Sequence, residues 1–300
     1  MAELYAWLPS LSQIKSDLTF VPAADFDYVG ALRPWKDMTL HYYDMDCIEV
    51  FNGYTWSRTT ALHWEYPLAA VALYVALIPV LKASIAEPVK IPRFALCWNL
   101  GLSLFSLCGL VACAPVLLNE LRANGFYFTT CAPAPWYGGG YHGMFVALFI
   151  YSKFVELVDT AIILLGKRQV ILLHWWHHVT VLLYCWHSYA TQIATGLWFA
   201  TMNYCVHSIM YAYFACMGVP NLRPKVKKFA IYITLLQLAQ MVVGIFVTVR
   251  AVLYQAGGLD CRVNKTNSVL GLAMYSSYFL LFGKLFFENY VLTRSKAKAA

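Results

Sequence analysis

Apolar and polar residues along this chain are sorted into long blocks rather than alternating at short period. Apolar runs of roughly 17–25 residues, long enough to cross a bilayer, recur over most of the sequence. Seven are marked off, at residues 66–83, 93–118, 143–166, 169–188, 193–217, 228–250 and 267–290, and each predicts a membrane-spanning helix. The first 60 residues are more polar, contain Trp, Pro and Asp, and predict an interfacial or extramembrane lead-in. They lack the charged start and short apolar core of a cleavable signal peptide, so the first span is expected to act as its own insertion signal. Two stretches punctuate the rest. "CAPAPWYGGG", residues 131–140, is predicted as a loop by its Pro and Gly content, and "MGVPNLRPKVKK", residues 217–228, breaks the helix and is basic. No fixed-period repeat or low-complexity segment occurs. The chain reads as an all-α polytopic membrane domain over 66–290, with an N-terminal lumenal or interfacial segment, 1–65, and a cytosolic tail, 291–300.

Composition agrees with that pattern. Of 300 residues, 60% are hydrophobic and only 12% charged, and the mean hydropathy is +0.57. A soluble domain carries about 25% charged residues, so half the usual solvating groups are missing. The net charge of +7 would suggest nucleic acid only if the basic residues formed a soluble face. They lie between spans instead, which sets nucleic acid aside as a partner. Their distribution orients the chain. With the N-terminus outside, the cytosolic segments hold Lys82, Lys90, Arg93, Lys167, Arg168, Arg223, Lys225, Lys227, Lys228, Arg294, Lys296 and Lys298, twelve of the 22 Lys and Arg residues. The short opposite loops hold only Arg122, Arg250, Arg262 and Lys265, and the N-terminal region holds Lys15, Arg33, Lys36 and Arg58. The positive-inside rule therefore places the N-terminus in the lumen and the C-terminus in the cytosol. In the final "RSKAKAA", Lys296 and Lys298 have the spacing of a dilysine retrieval signal for the endoplasmic reticulum. An ordinary basic flank is the alternative, and both require a cytosolic tail. Cys131 and Cys261 fall in predicted lumenal loops, where oxidation is permitted, and a bridge between them would join the loop after the second span to the loop after the sixth. The sequon Asn264-Lys265-Thr266 is lumenal but crowded against the seventh span.

Ionisable side chains within spans are costly and point to function. The third span contains "KFVELVDT", which places Lys153, Glu156, Asp159 and Thr160 on one broad helical face. An intrahelical Lys153–Glu156 ion pair accounts for two of these and leaves Asp159 without a partner. The fourth span contains "HWWHH", with His174, His177 and His178 at i, i+3 and i+4 on a single stripe. A lone histidine there would read as a satisfied core residue; three do not. The fifth span contains "NYCVHSIMYAYF", with Asn203 and His207 one turn apart and Met210, Tyr211 and Tyr213 beyond them. His207 alone could be helix–helix glue. The sixth contains "TLLQLAQ", with Thr234, Gln237 and Gln240 on one face, amides that read individually as packing hydrogen bonds ahead of catalytic groups.

Two chemistries could use the histidine box. Membrane desaturases and hydroxylases bind two irons with several such boxes, but this chain has eight histidines in all, His41, His63, His142, His174, His177, His178, His187 and His207, and only one box. A single zinc with three ligands and an open position stays possible. The other chemistry is nucleophilic. An apolar medium favours the uncharged imidazole, which can attack a thioester directly and become an acyl-imidazole. Excluding water then protects that intermediate from hydrolysis. A lipid transporter or receptor without catalysis is a third reading.

The four motifs, in this order and spacing, resemble the ELO-type fatty acid elongases, and the resemblance runs from the first span to the tail. It implies a seven-span protein of the endoplasmic reticulum membrane. Spans two to seven would form a barrel around a narrow acyl tunnel, open to the cytosol and closed at the lumen. The implied reaction joins a long-chain acyl-CoA to malonyl-CoA, giving 3-ketoacyl-CoA, CO2 and CoA, with these two substrates and no cofactor or metal. His177 is the implied acyl acceptor. Asn203 and His207 would position the thioester or malonyl group and move protons, His174 and His178 would orient the central ring, and Asp159 would be an orienting carboxylate. Lys153, Glu156, Thr160, Tyr211, Gln237 and Gln240 complete the expected substrate-binding set, with Lys167 and Arg168 and the cluster from Arg223 to Lys228 placed where CoA phosphates would approach. Expected partners are the bilayer, the ketoacyl reductase, dehydratase and enoyl reductase of the elongation cycle, and a further copy of the chain. Trp176 and Phe214 depart from the usual Tyr or Phe and the usual Tyr at their positions. Trp175 is similar to members acting on saturated and monounsaturated chains. Chain length depends on packing at the lumenal end of spans six and seven and is not readable from the sequence.

Overall fold

In the computed structural model each apolar block is helical over most of its length, and no strand occurs among the described residues, which are 7–25, 27, 30–35 and 50–292. Lys36, His41, Arg294 and the Lys296–Lys298 pair lie outside them. The helices are α1 (Leu11–Leu18), α2 (Gly53–Leu62), α3 (Glu65–Ser84), α4 (Pro92–Cys131), α5 (Gly140–Glu156), α6 (Val158–Leu165), α7 (Leu172–Ala190), α8 (Gly196–Gly218), α9 (Ala230–Ala256) and α10 (Lys265–Phe286). Four segments combine the length and apolar character of a membrane span: Glu65–Ser84, Pro92–Cys131, Arg223–Ala256 and Lys265–Leu292. The other blocks fall short for visible reasons. The third is interrupted at Leu157 into α5 and α6. Histidines and asparagine dilute the apolar character of α7 and α8.

The second block runs well past residue 118, where the sequence pattern ends it. Within α4, Gly125 adopts φ 81°, ψ −179°, a backbone that side-chain-bearing residues rarely take. The helix therefore breaks there and restarts, so that Phe126 packs against Trp198 and Phe246. Local caps fix other ends. Asn52 accepts from the backbone N–H groups of Tyr54 and Thr55 at the start of α2, and Asn264 accepts from Asn267 at the start of α10.

Packing passes from neighbour to neighbour: α4 against α5, α5 against α7, α7 against α10, α10 against α9, α9 against α8, and α8 along much of α4. Helix α3 touches α6 and α7 and buries little beyond Pro67 and Tyr74. One core cluster centres on Phe128, Trp136, Trp186, Leu197 and Tyr204, and a second on Met241, Val247, Tyr275 and Tyr278.

At one end the connecting loops are tied together. Cys131 and Cys261 form a disulfide across a sequence separation of 130. Beside it, Arg262 donates its backbone N–H to Cys131 (2.9 Å) and accepts from Ala194 (3.3 Å), joining three loops. Helix α1 and the segment before it fold over this end. Trp7 donates to Gln255 (2.9 Å), and Thr266 of the sequon donates to Asp17 (2.5 Å). The stretch 131–140 carries a single helical turn, Pro135–Gly138, whose Trp136 and Tyr137 are buried.

Candidate functional site

The histidine box occupies the first two turns of α7, because the chain is extended at Ile171 and coils only from Leu172. Helix geometry then divides its three rings. His174 and His178, one turn apart, lie with ring centroids 4.4 Å apart. His174 Nε2 bonds the Thr160 hydroxyl at 2.8 Å, and Thr160 in turn bonds the Tyr74 hydroxyl at 2.8 Å. His178 is 5% exposed, and its Nδ1 has no partner among the described residues. His177 is turned toward α10, its ring 5.0 Å from that of Tyr278. Tyr278 donates to the His177 carbonyl (3.2 Å) and bonds Thr180 (2.5 Å), which fixes the backbone under the ring. Among the described residues no side chain hydrogen-bonds the His177 ring; its electrostatic neighbours are His207, Lys153 and His174.

Helix α5 brings a buried ion pair to the same level. Lys153, 2% exposed, donates to Glu156 Oε1 at 2.6 Å and to Asn203 Oδ1 at 3.2 Å, and lies 4.3 Å from the centre of the Phe149 ring. Ser152 donates to the same Glu156 oxygen at 3.1 Å, while Glu156 Oε2 is buried without a partner among the described residues. Burying such a pair is tolerable only when its remaining valences are met, and Asn203 and Ser152 meet part of them. Asn203, His207 and Tyr211 follow one another at one-turn spacing on α8, with the His207 and Tyr211 rings 5.3 Å apart.

Asp159 hydrogen-bonds none of the box histidines and finds its partners on other helices. Its Oδ2 accepts from the Tyr211 hydroxyl and its Oδ1 from Trp98 Nε1, both at 2.6 Å. The carboxylate sits at the start of α6, after the break at Leu157, and this directs it toward α4 and α8 instead of α7. It holds Tyr211 against His207, and so reaches the polar layer at one remove. The Lys153–Glu156 pair exists as the simplest reading supposed, and the partners of Asp159 come from other helices. Trp98 was indistinguishable from any other apolar residue of its span. Tyr74, Thr180 and Tyr278 were likewise missed, although a hydroxyl inside a span at the depth of the box is itself a signal.

Other expected residues are not part of this layer. Gln237 donates to the Met210 sulfur (3.2 Å), and Gln240 is buried near Tyr275. Lys167 and Arg168 are exposed on the turn after α6, and the segment from Arg223 to Phe229 contributes no buried residue. Among the described residues no three His, Cys, Asp or Glu side chains are grouped to hold one metal ion.

The polar layer therefore presents imidazoles that no side chain hydrogen-bonds among the described residues, His177, His178 and His207, with a fixed cation–anion pair and the Asp159-bound Tyr211 around them. Such an arrangement can accept an acyl group and move a proton in a site walled by apolar helices. Residues 59–298 match the ELO family, described as GNS1/SUR4. The chain is 41% identical over 281 positions to fatty acid elongase 3 of Trypanosoma brucei brucei, covering 83% of this chain and 92% of that one. It is 38% identical over 267 positions to fatty acid elongase 3 of Trypanosoma cruzi, covering 79% and 87%. It is 41% identical over 207 positions to very long chain fatty acid elongase 6 of Drosophila melanogaster, covering 67% and 65%.

Proposed function

The chain belongs to the ELO family, GNS1/SUR4, whose members act in fatty acid elongation, and we propose that its own step is the condensation of a long-chain acyl-CoA with malonyl-CoA through an acyl group carried on His177. The observation that carries this reading is the state of the box: His174 is engaged by Thr160, His178 is unbonded at Nδ1 but buried, and the His177 ring is bonded by no side chain among the described residues and is the less buried of these two.

In the first half-reaction a His177 ring nitrogen attacks the thioester carbonyl. The N–C bond forms, the C–S bond breaks, and the ring proton leaves with sulfur as the free thiol of CoA. In the second, malonyl-CoA loses CO2, and the electron pair released forms the enolate of acetyl-CoA. That enolate attacks the acyl carbonyl, the N–C bond breaks, and one proton taken from outside restores the imidazole. The product is a 3-ketoacyl-CoA two carbons longer. His207, held beside Tyr211, is the proton carrier nearest in kind to this need, and Lys153 with Asn203 offers donors to the developing oxyanion.

The surrounding architecture is part of the proposal. Seven spans, six of them closing a barrel around an acyl tunnel, are supported by the unbroken succession of contacts from α4 through α5, α7, α10, α9 and α8 back to α4. An endoplasmic reticulum location with lumenal N-terminus and cytosolic C-terminus is supported by the distribution of Lys and Arg and by the disulfide at the opposite end from the basic turns. The reductases and dehydratase of the cycle are the partners that a 3-ketoacyl product requires. The test is intact mass after mixing purified protein with acyl-CoA alone. An acyl adduct on the native protein that is missing from His177→Ala supports the reading, and an adduct that persists in the variant removes His177 from this role.

A further inference from the structure

Helix α3 lies at the edge of the bundle, and along it only Pro67 and Tyr74 are buried. Between it and α5–α6 a cleft of about 300 Å³ is left open, walled by residues such as Leu73, Leu77, Phe154 and Val158. Hydroxyls enter that wall only from Tyr74 and Thr160. The Tyr74 ring lies 6.3 Å from the ring of His178. Its hydroxyl meets Thr160 Oγ1 at 2.8 Å, and the same Thr160 oxygen meets His174 Nε2 at 2.8 Å. One line of hydrogen bonds thus runs from the outermost span through α6 to the histidine box. Beside an open cleft, close packing alone does not explain why α3 places its buried hydroxyl at this depth.

The supply of hydrogens gives the line a direction. A phenol and a threonine hydroxyl each have one hydrogen to donate, and a neutral imidazole has one protonated and one unprotonated nitrogen. If His174 donated from Nε2, the Thr160 hydrogen or the phenolic hydrogen would be left without an acceptor among the described residues, since neither hydroxyl makes a further hydrogen bond there. Run the other way, Tyr74 donates to Thr160, Thr160 donates to His174 Nε2, and no buried hydrogen is stranded. His174 then carries its own proton on Nδ1. Its Nε2 lone pair is occupied, so neither nitrogen is free to compete with His177 for a thioester.

We infer that Tyr74 is a positioning residue for the condensation: through Thr160 it fixes which nitrogen of His174 is protonated, and with it the donor that stands beside His177. This rests on the condensing reading above. Two readouts on the purified full chain test it, the nitrogen NMR signals of histidine-labelled protein and the rate of acyl-adduct formation from acyl-CoA alone. Tyr74→Phe removes one oxygen and keeps the ring. It is expected to take the His174 Nε2 signal away from its unprotonated position and to slow adduct formation by about tenfold or more, the scale of losing an outer partner of a working histidine. Thr160→Val should do the same, Thr160→Ser should restore both readouts, and Tyr74→Phe added to Thr160→Val should cost nothing more, because the line acts as one unit. A hydroxyl pair that only packed α3 onto the bundle would lower stability and move neither readout. An unmoved nitrogen signal, or an unmoved rate in folded Tyr74→Phe, overturns the inference; if that variant does not fold, equal rates in Thr160→Val and Thr160→Ser overturn it. A native protein that forms no adduct fails the condensing reading instead, and the nitrogen signal still decides whether Tyr74 governs His174.

Discussion

Helix α7 carries buried histidines at both ends, and the two neighbourhoods are built on opposite plans. At its last turns His187 Nδ1 is bonded to the Asn267 amide (2.9 Å). That amide also donates to Ser188 (2.8 Å), and Asn267 Oδ1 accepts from Tyr184 (3.1 Å). Even the backbone N–H of Asn267 is used, in the cap of α10. At the first turns His177 keeps its ring clear of such bonds, while its neighbours His174, Lys153 and Asp159 are held by theirs. One helix thus contains a histidine tied through Nδ1, its Nε2 having no partner among the described residues, and a histidine whose ring no side chain hydrogen-bonds. A buried polar group drawn into a hydrogen-bond network stabilises a fold, and one held in place by its backbone with its ring free can react.

Four measurements sharpen or break that contrast. The largest expected effect is on turnover. His177→Ala should lower condensation by at least about 10³-fold, whereas His187→Ala should lower it less than tenfold while reducing thermal stability; equal losses in both would erase the distinction. Next, Glu156→Gln leaves the buried Lys153 charge without its anion and should cost about 3–5 kcal/mol in unfolding free energy, read from denaturation in detergent. Replacing Cys131 and Cys261 together by serine should cost about 2–5 kcal/mol, with the adduct on His177 still forming once the protein is folded. The smallest effect is Asn267→Ala. It should cost about 1–3 kcal/mol by leaving His187 and Ser188 unsatisfied, with no change in the pattern of acyl-CoAs accepted. A shift in that pattern would mean that this network takes part in substrate selection.

Much of this was legible before any coordinates because lipid imposes simple demands. Apolar blocks announce helices, and an imidazole among them is too expensive to be accidental. The one-turn spacing of Asn203, His207 and Tyr211 likewise survives folding because a helix preserves it. What could not be read were the contacts between distant helices. Asp159 and Trp98 are 61 positions apart, and nothing local to either names the other. The true end of α4 was hidden because Asn119, Glu120, Arg122 and Asn124 break the apolar pattern while the helix runs on through them to the break at Gly125 and restarts. Residues 131–140 were correctly loop-like in composition, yet the pattern gives no hint that Trp136 and Tyr137 turn inward from them.

The strapping of three loops around Cys131, Ala194 and Arg262 has a mechanical consequence for traffic through the bundle. That end cannot spread without severing a covalent bond, so whatever slack the helices possess is left to the opposite, basic end.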